Sequence, residues 1–172
     1  MTEPELVVFD LDLTLWDCGG SWCDCLTPPF THNGQTPVDA NGKVVRLYED
    51  VHGIMDQLDA SRIPMALASR TQEPEWAREL LEMLGITDRF AWSEIYPSAK
   101  FQHFAAIHGS SGIAYEKMLF FDDEQRNIDD INRLGVASVY VPSGLTHEVF
   151  QQGLQQFGAQ VTRLQQPRSN GT

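Results

Sequence analysis

The sequence has no apolar run as long as the roughly 20 residues that a membrane-spanning helix requires. Residues 1–5 also lack the basic segment and the apolar segment that together make a secretory signal. We therefore expect a cytoplasmic protein without a membrane partner.

Basic residues are scarce, since 12 lysines and arginines face 24 aspartates and glutamates and leave a net charge of −12. A field of this sign repels polyanions at long range, so we predict no nucleic-acid partner. It would also repel a phosphorylated substrate. A site for such a substrate would therefore need a metal ion or a few placed cations to reverse the field locally.

Cysteine occurs only at Cys18, Cys23 and Cys25. An odd number of cysteines within one short stretch is not a disulfide framework. Our main interpretation is reduced thiols. Two alternatives stay open, namely a soft-metal site with His32 as fourth ligand and a redox-sensitive pair.

Short apolar runs alternate with segments of helical periodicity along the 172 residues. Continuous apolar runs are typical of strands buried on both faces of a parallel sheet. The pattern predicts strands over 6–9, 63–68, 90–95, 118–121 and 136–141, and helices over 49–60, 73–84, 99–108, 124–134 and 146–157. We therefore expect one doubly wound, Rossmann-like α/β domain over 1–157 with helices on both sheet faces. Residues 158–172 are predicted to be a flexible tail.

Polar side chains follow three of the predicted strands directly: Asp10, Ser69 and the pair Asp122-Asp123. Parallel sheets bind ligands beyond the carboxyl ends of their strands, so these side chains should share one edge. Asp10 and Asp12 lie two residues apart, and like charges so close resist joint ionisation unless a cation or a proton lies between them.

Four segments in this order resemble the magnesium-dependent phosphatase family of the haloacid dehalogenase-like superfamily. They are Asp10-Leu11-Asp12-Leu13-Thr14-Leu15-Trp16, Ala68-Ser69-Arg70-Thr71, Ile95-Tyr96-Pro97-Ser98-Ala99-Lys100 and the stretch from Phe120 to Ile128. The similarity covers about residues 5–157. The stretch that holds the three cysteines does not match the family pattern.

The resemblance implies a phosphomonoester hydrolase that uses Mg²⁺ and an aspartyl-phosphate intermediate. Phosphotyrosine, in a phosphoprotein, and small sugar phosphates are the implied substrates. The implied catalytic residues are Asp10, the nucleophile, and Asp12, the general acid and base. The implied metal ligands are Asp10, Asp122, Asp123 and the backbone carbonyl of Asp12, and the implied substrate-binding residues are Ser69, Arg70 and Lys100.

Arg70 has a guanidinium fork that suits phosphate oxygens, although an outward salt bridge is an equal alternative. Trp16 is a candidate for stacking on an aromatic or sugar substrate.

Neither interval between these motifs fits a separate cap domain, because Asp10 and Ser69 are 59 residues apart and Ser69 and Lys100 are 31 apart. We therefore expect an open site that admits large substrates. Residues 17–42 are the one candidate lid and should influence specificity. The sequence makes no prediction of the oligomeric state.

Three alternatives remain at this point. A receiver-type signalling domain also phosphorylates an aspartate, but its acidic pair follows the first strand, whereas here the pair comes late. A dehalogenase or a phosphomutase would keep the fold; Asp12 argues against the first and the missing cap against the second. An inactive binding domain is the third.

Overall fold

The computed structural model describes residues 2–167, and its centre is a five-stranded parallel sheet. In chain order, the strands are β1 (Leu6–Phe9), β2 (Trp16–Cys18), β3 (Thr31–His32), β4 (Pro37–Val38), β5 (Val45–Leu47), β6 (Met65–Ser69), β7 (Trp92–Ile95), β8 (Met118–Asp122) and β9 (Ala137–Tyr140). The helices are α1 (Val51–Ala60), α2 (Pro74–Met83), α3 (Lys100–Ser111), α4 (Gln125–Asn132) and α5 (His147–Gln165). The sheet order is β7-β6-β1-β8-β9.

Strand β1 lies in the middle of this sheet, which explains its unbroken apolar sequence. Val7 and Phe9 point into a core shared with α1, α2 and α5, whereas Leu6 and Val8 point into a second core with α3 and α4. All four side chains are fully buried because successive residues of a strand face opposite sides. The predicted doubly wound α/β fold is confirmed.

The long segment between β1 and α1 is not a separate domain. It contains an antiparallel pairing of β2 with β5 and a small hairpin of β3 with β4. Leu26 and Phe30 of this segment belong to the same apolar core as Phe9. The segment therefore covers one part of the sheet without forming a cap over it.

Helix α5 extends further than the sequence pattern predicted. Residues 158–165, which we expected to be flexible, continue the helix to Gln165. Val161 is buried and extends the apolar stripe of Phe150, Leu154 and Phe157, at helical spacing. The Thr146 hydroxyl caps the start of the helix by accepting from the Val149 N–H at 3.2 Å. Residues 168–172 of the predicted tail lie outside the described residues.

Within residues 2–167, no helix has both the length and the apolar character that crossing a membrane demands.

Candidate active site

The predicted site residues meet at the carboxyl edge of the sheet. Asp10 follows β1, Ser69 is the last residue of β6 and Asp122 is the last residue of β8. Because β6 and β8 flank β1 in parallel register, their ends lie side by side. Lys100 begins α3 and reaches the same point. A cavity of about 210 Å³ opens there, lined by Asp10, Asp12, Trp22, Asp24, Ser69, Arg70, Thr71, Gln72, Lys100, Asp123, Glu124, Arg126 and Asn127.

Lys100 is a buried cation between two carboxylates. Its Nζ lies 2.9 Å from Asp10 Oδ1 and 3.1 Å from Asp122 Oδ2, and it also donates to the Ala68 carbonyl. Burial alone would lower the pKa of Lys100, but the Asp10 and Asp122 carboxylates outweigh burial and raise that pKa. The ammonium is therefore charged at neutral pH.

The single positive charge of Lys100 does not offset the negative charges of the carboxylates around it. Asp10, Asp122 and Asp123 each place one oxygen within 4.8 Å of the others. Burial raises the pKa of Asp10 to about 7, although the Lys100 ammonium opposes part of the rise. Burial, then the Asp10 carboxylate, raise the pKa of Asp122 to about 6. Three under-compensated carboxylates at this spacing fit a hard divalent cation such as Mg²⁺, which prefers oxygen ligands.

The acidic cluster is held in place by hydrogen bonds. The Thr14 hydroxyl donates to Asp10 Oδ2 at 3.2 Å. The Glu124 backbone N–H donates to Asp122 Oδ1 at 2.8 Å, and Asn127 Nδ2 donates to Asp122 Oδ2 at 3.1 Å. Thr14 was not among the predicted site residues, although it lies within the first motif segment, whereas the Asn127 contact fits a role in orienting the acidic pair.

The side chain of Asp12 is not part of the acidic cluster. Its Oδ1 accepts from Trp16 Nε1 at 2.7 Å and from the Cys23 backbone N–H at 2.9 Å. Burial raises the pKa of Asp12, against the lowering effect of these donors. The predicted stacking of Trp16 on a substrate is wrong, because Trp16 is fully buried and its ring N–H binds Asp12.

Ser69 and Arg70 line the same cavity as Asp12. Ser69 is buried at the end of β6. Arg70 Nη1 donates to Asn127 Oδ1 at 3.0 Å, and among residues 2–167 Arg70 forms no salt bridge. The alternative of an outward salt bridge is therefore not realised, and Arg70 faces the cavity.

The cysteines do not form the soft-metal site that the sequence left open. All three are free, Cys25 and His32 are exposed, and the acidic trio is the one metal-ligating group found within residues 2–167. Cys18 and Cys23 are instead buried around Asp12. Burial, then the Asp12 carboxylate, raise the pKa of both thiols, so both stay protonated. This contact with Asp12 had no signal in the sequence.

Comparisons with known proteins match this chain to phosphatases and related hydrolases. The family described as Acid Phosphatase matches residues 2–160. Magnesium-dependent phosphatase 1 from Homo sapiens is 41% identical over 156 residues, which cover 90% of this chain and 87% of that protein. A HAD-like hydrolase superfamily protein from Schizosaccharomyces pombe is 36% identical over 146 residues, covering 77% and 83% respectively. The crystal structure of a HAD-superfamily hydrolase from Ehrlichia chaffeensis shares the fold, with a TM-score of 0.65 at 13% identity and coverage of 94% and 99%.

Proposed function

The chain belongs to the magnesium-dependent phosphatases of the haloacid dehalogenase-like superfamily, and we propose that it hydrolyses phosphate monoesters through an aspartyl-phosphate on Asp10. One observation carries this proposal. The Asp10 carboxyl is paired with Lys100, adjoins Asp122 and Asp123, and lines the same cavity as the Asp12 carboxyl. A nucleophile, a charge-compensating group and a second carboxyl for proton transfer are thus available together.

Asp10, Asp122 and Asp123 would hold the metal ion, together with the backbone carbonyl of Asp12. When bound, Mg²⁺ supplies positive charge that offsets the repulsion between the carboxylate nucleophile and the phosphate oxygens. The Lys100 ammonium favours the ionised form of Asp10 against the effect of burial, and its Nζ lies 2.9 Å from one Asp10 oxygen. Ser69 and the Arg70 guanidinium are proposed to bind the remaining phosphate oxygens, as hydrogen-bond donors.

Asp12 is proposed to carry the proton in both half-reactions. When an Asp10 oxygen attacks phosphorus, the bond to the ester oxygen breaks and Asp12 gives its proton to that oxygen. In the second step, water attacks the phosphorus of the aspartyl-phosphate and Asp12 takes a proton from that water. The bond between phosphorus and the Asp10 oxygen breaks, and its electrons return to the Asp10 carboxylate. Its raised pKa, caused first by burial, favours the protonated form that the first step requires.

The substrate class is proposed from the shape of the entrance. Residues 17–42 place Trp22 and Asp24 on the cavity wall but do not enclose the cavity as a cap domain would. An open cavity admits a phosphorylated side chain such as phosphotyrosine as well as a small sugar phosphate. Exposed Trp22 offers a flat apolar face to a leaving group, and we propose that it favours aromatic or sugar esters.

The test is phosphate release from p-nitrophenyl phosphate, with Mg²⁺ and with a chelator, for the wild type and for Asp10→Asn. We expect turnover that requires Mg²⁺ and vanishes in Asp10→Asn. Asp88→Asn is the matched control, because Asp88 is exposed in the turn that precedes β7, at the opposite edge of the sheet. With Asp12→Asn, acid-quenched protein should carry one phosphoryl group that hydroxylamine removes.

Two results would count against this function. Folded wild-type protein that releases no phosphate with any divalent ion would point to the inactive binding domain. A phosphorylated Asp10 that persists in the wild type would favour the receiver-type alternative.

A further inference from the structure

The two carboxylate oxygens of Asp12 have different surroundings. Oδ1 accepts from Trp16 Nε1 at 2.7 Å and from the Cys23 N–H at 2.9 Å, and Cys18 Sγ lies 3.9 Å away. Oδ2 has a single neighbour among the donors of the described residues, the Cys23 thiol at 3.6 Å. An oxygen that already accepts two N–H bonds has little remaining basicity. The free lone pair for a proton is therefore on Oδ2.

The Cys23 thiol is itself oriented by a neighbour. Its Sγ lies 3.2 Å from Thr71 Oγ1, which accepts from the Glu73 backbone N–H at 3.2 Å. Either atom of this pair can donate, and with the Thr71 hydroxyl donating to the sulfur, the single thiol proton of Cys23 is free for Asp12 Oδ2. Both Cys23 and Thr71 are buried, and Cys23 has no exposed surface.

We propose that Cys23 is a positioning residue, which holds Asp12 so that Oδ2 is the oxygen that exchanges the proton with the leaving group. This inference rests on the proposed function. In the first half-reaction, the Oδ2–H bond breaks and an O–H bond forms on the leaving oxygen. The electrons of the broken P–O bond stay on that oxygen, while an Asp10 oxygen bonds to phosphorus.

Cys23 also connects two parts of the chain that are distant in sequence. The 3₁₀ turn Cys23–Cys25 lies between β2 and β3, whereas Thr71 follows β6. Thr71 N donates to Ser69 Oγ at 3.4 Å, so the same residue contacts the proposed phosphate-binding serine. The proton-transfer group and the phosphate-binding loop are thus linked through one thiol.

The test compares Cys23→Ala and Cys23→Ser with the wild type on two substrates at saturating Mg²⁺. Phenol is a poorer leaving group than p-nitrophenol, so phenyl phosphate depends more on protonation by Asp12. For Cys23→Ala we expect kcat/KM to fall about tenfold on phenyl phosphate, as one hydrogen bond to a charged group would give, and less than about twofold on p-nitrophenyl phosphate. Cys23→Ser, whose hydroxyl can donate to Oδ2, should retain most of the activity on both substrates.

Cys25→Ala is the matched control, because this thiol is exposed and its one hydrogen bond among the described residues is to Asp24. If Cys23→Ala does not fold, Thr71→Val removes the hydroxyl proton with little change in shape, and the same preferential loss on phenyl phosphate is expected. Equal losses on both substrates, or a serine variant as impaired as the alanine variant, would overturn the inference. A wild type inactive on both substrates would instead refute the proposed function itself.

Discussion

Replacing Asp10 with asparagine should abolish turnover and yet stabilise the metal-free protein at alkaline pH. Asparagine has the same shape as aspartate, and its amide oxygen can still accept from Lys100 Nζ, which lies 2.9 Å from Asp10 Oδ1 in the wild type. What the substitution removes is a buried negative charge beside the Asp122 and Asp123 carboxylates. Without a metal ion, this charge is costly because it has lost its hydration.

The size of the effect follows from proton linkage. Burial raises the pKa of Asp10 from 3.8 to about 7 in the folded protein. A raised pKa stabilises the fold at low pH, and this stabilisation is lost as the pH rises through the folded pKa. Between about pH 5.5 and about pH 8.5, the folded carboxyl loses a proton that the unfolded one has already lost, which removes about 2 kcal/mol of unfolding free energy.

Urea unfolding with a chelator at these two pH values measures the difference. The wild type should lose about 2 kcal/mol more than Asp10→Asn on going to the higher pH. Asp88→Asn should behave as the wild type. Saturating Mg²⁺ should shrink the difference, because a cation held by ionised carboxylates stabilises the folded state. If Asp10→Asn and the wild type showed the same pH dependence in chelator, the assignment of a costly buried charge to Asp10 would be refuted.

Two further substitutions, each with a matched control, test buried contacts near the site by urea unfolding. Lys100→Met leaves the buried Asp10 and Asp122 carboxylates without their cation and should lower the free energy of unfolding by about 3–5 kcal/mol at neutral pH. Lys43 is exposed, so the control Lys43→Met should change this free energy by less than about 0.5 kcal/mol. Equal effects of the two lysine substitutions would contradict the buried ion pairs. Gly153→Ala should destabilise by about 1–3 kcal/mol, because its Cβ would lie 2.5 Å from the Phe121 ring. Gly158 lies in the same helix, and a Cβ added there would have no atom within 4 Å, so Gly158→Ala should instead stabilise the protein by up to about 1 kcal/mol. A stabilised Gly153→Ala variant would refute the close contact with Phe121.

The sheet and its polar edge were predictable because they depend on local rules. Apolar runs that stop at Asp10, Ser69 and Asp122 predict strands, and parallel pairing then brings their ends together. Strand and helix ends differ from the predicted ones by a few residues in most elements. The exception is α5, where a glutamine-rich composition concealed the apolar stripe that continues to Val161.

The surroundings of Asp12 were not predictable, because they depend on how an irregular segment folds back. Leu13 adopts a positive φ of 62°, which is rare for a residue other than glycine, and its N–H donates to the Trp16 carbonyl at 2.8 Å. This tight turn directs the Trp16 ring inward, toward Asp12, and away from the substrate. Cys23 reaches Asp12 across 11 positions of chain without regular periodicity. No spacing rule links such residues.

The charge of the site explains why a protein of net charge −12 would need a divalent cation to accept a phosphate. Three basic side chains line the cavity, but Lys100 is paired with two carboxylates and Arg126 is paired with Glu124 at 2.7 Å. Arg70 has no carboxylate partner within the described residues, so it is the one side-chain cation there whose charge is not already offset. A single guanidinium cannot offset a phosphate dianion that approaches the Asp10 carboxylate. Magnesium dependence is therefore an electrostatic requirement of this arrangement of residues, as well as a trait of the family.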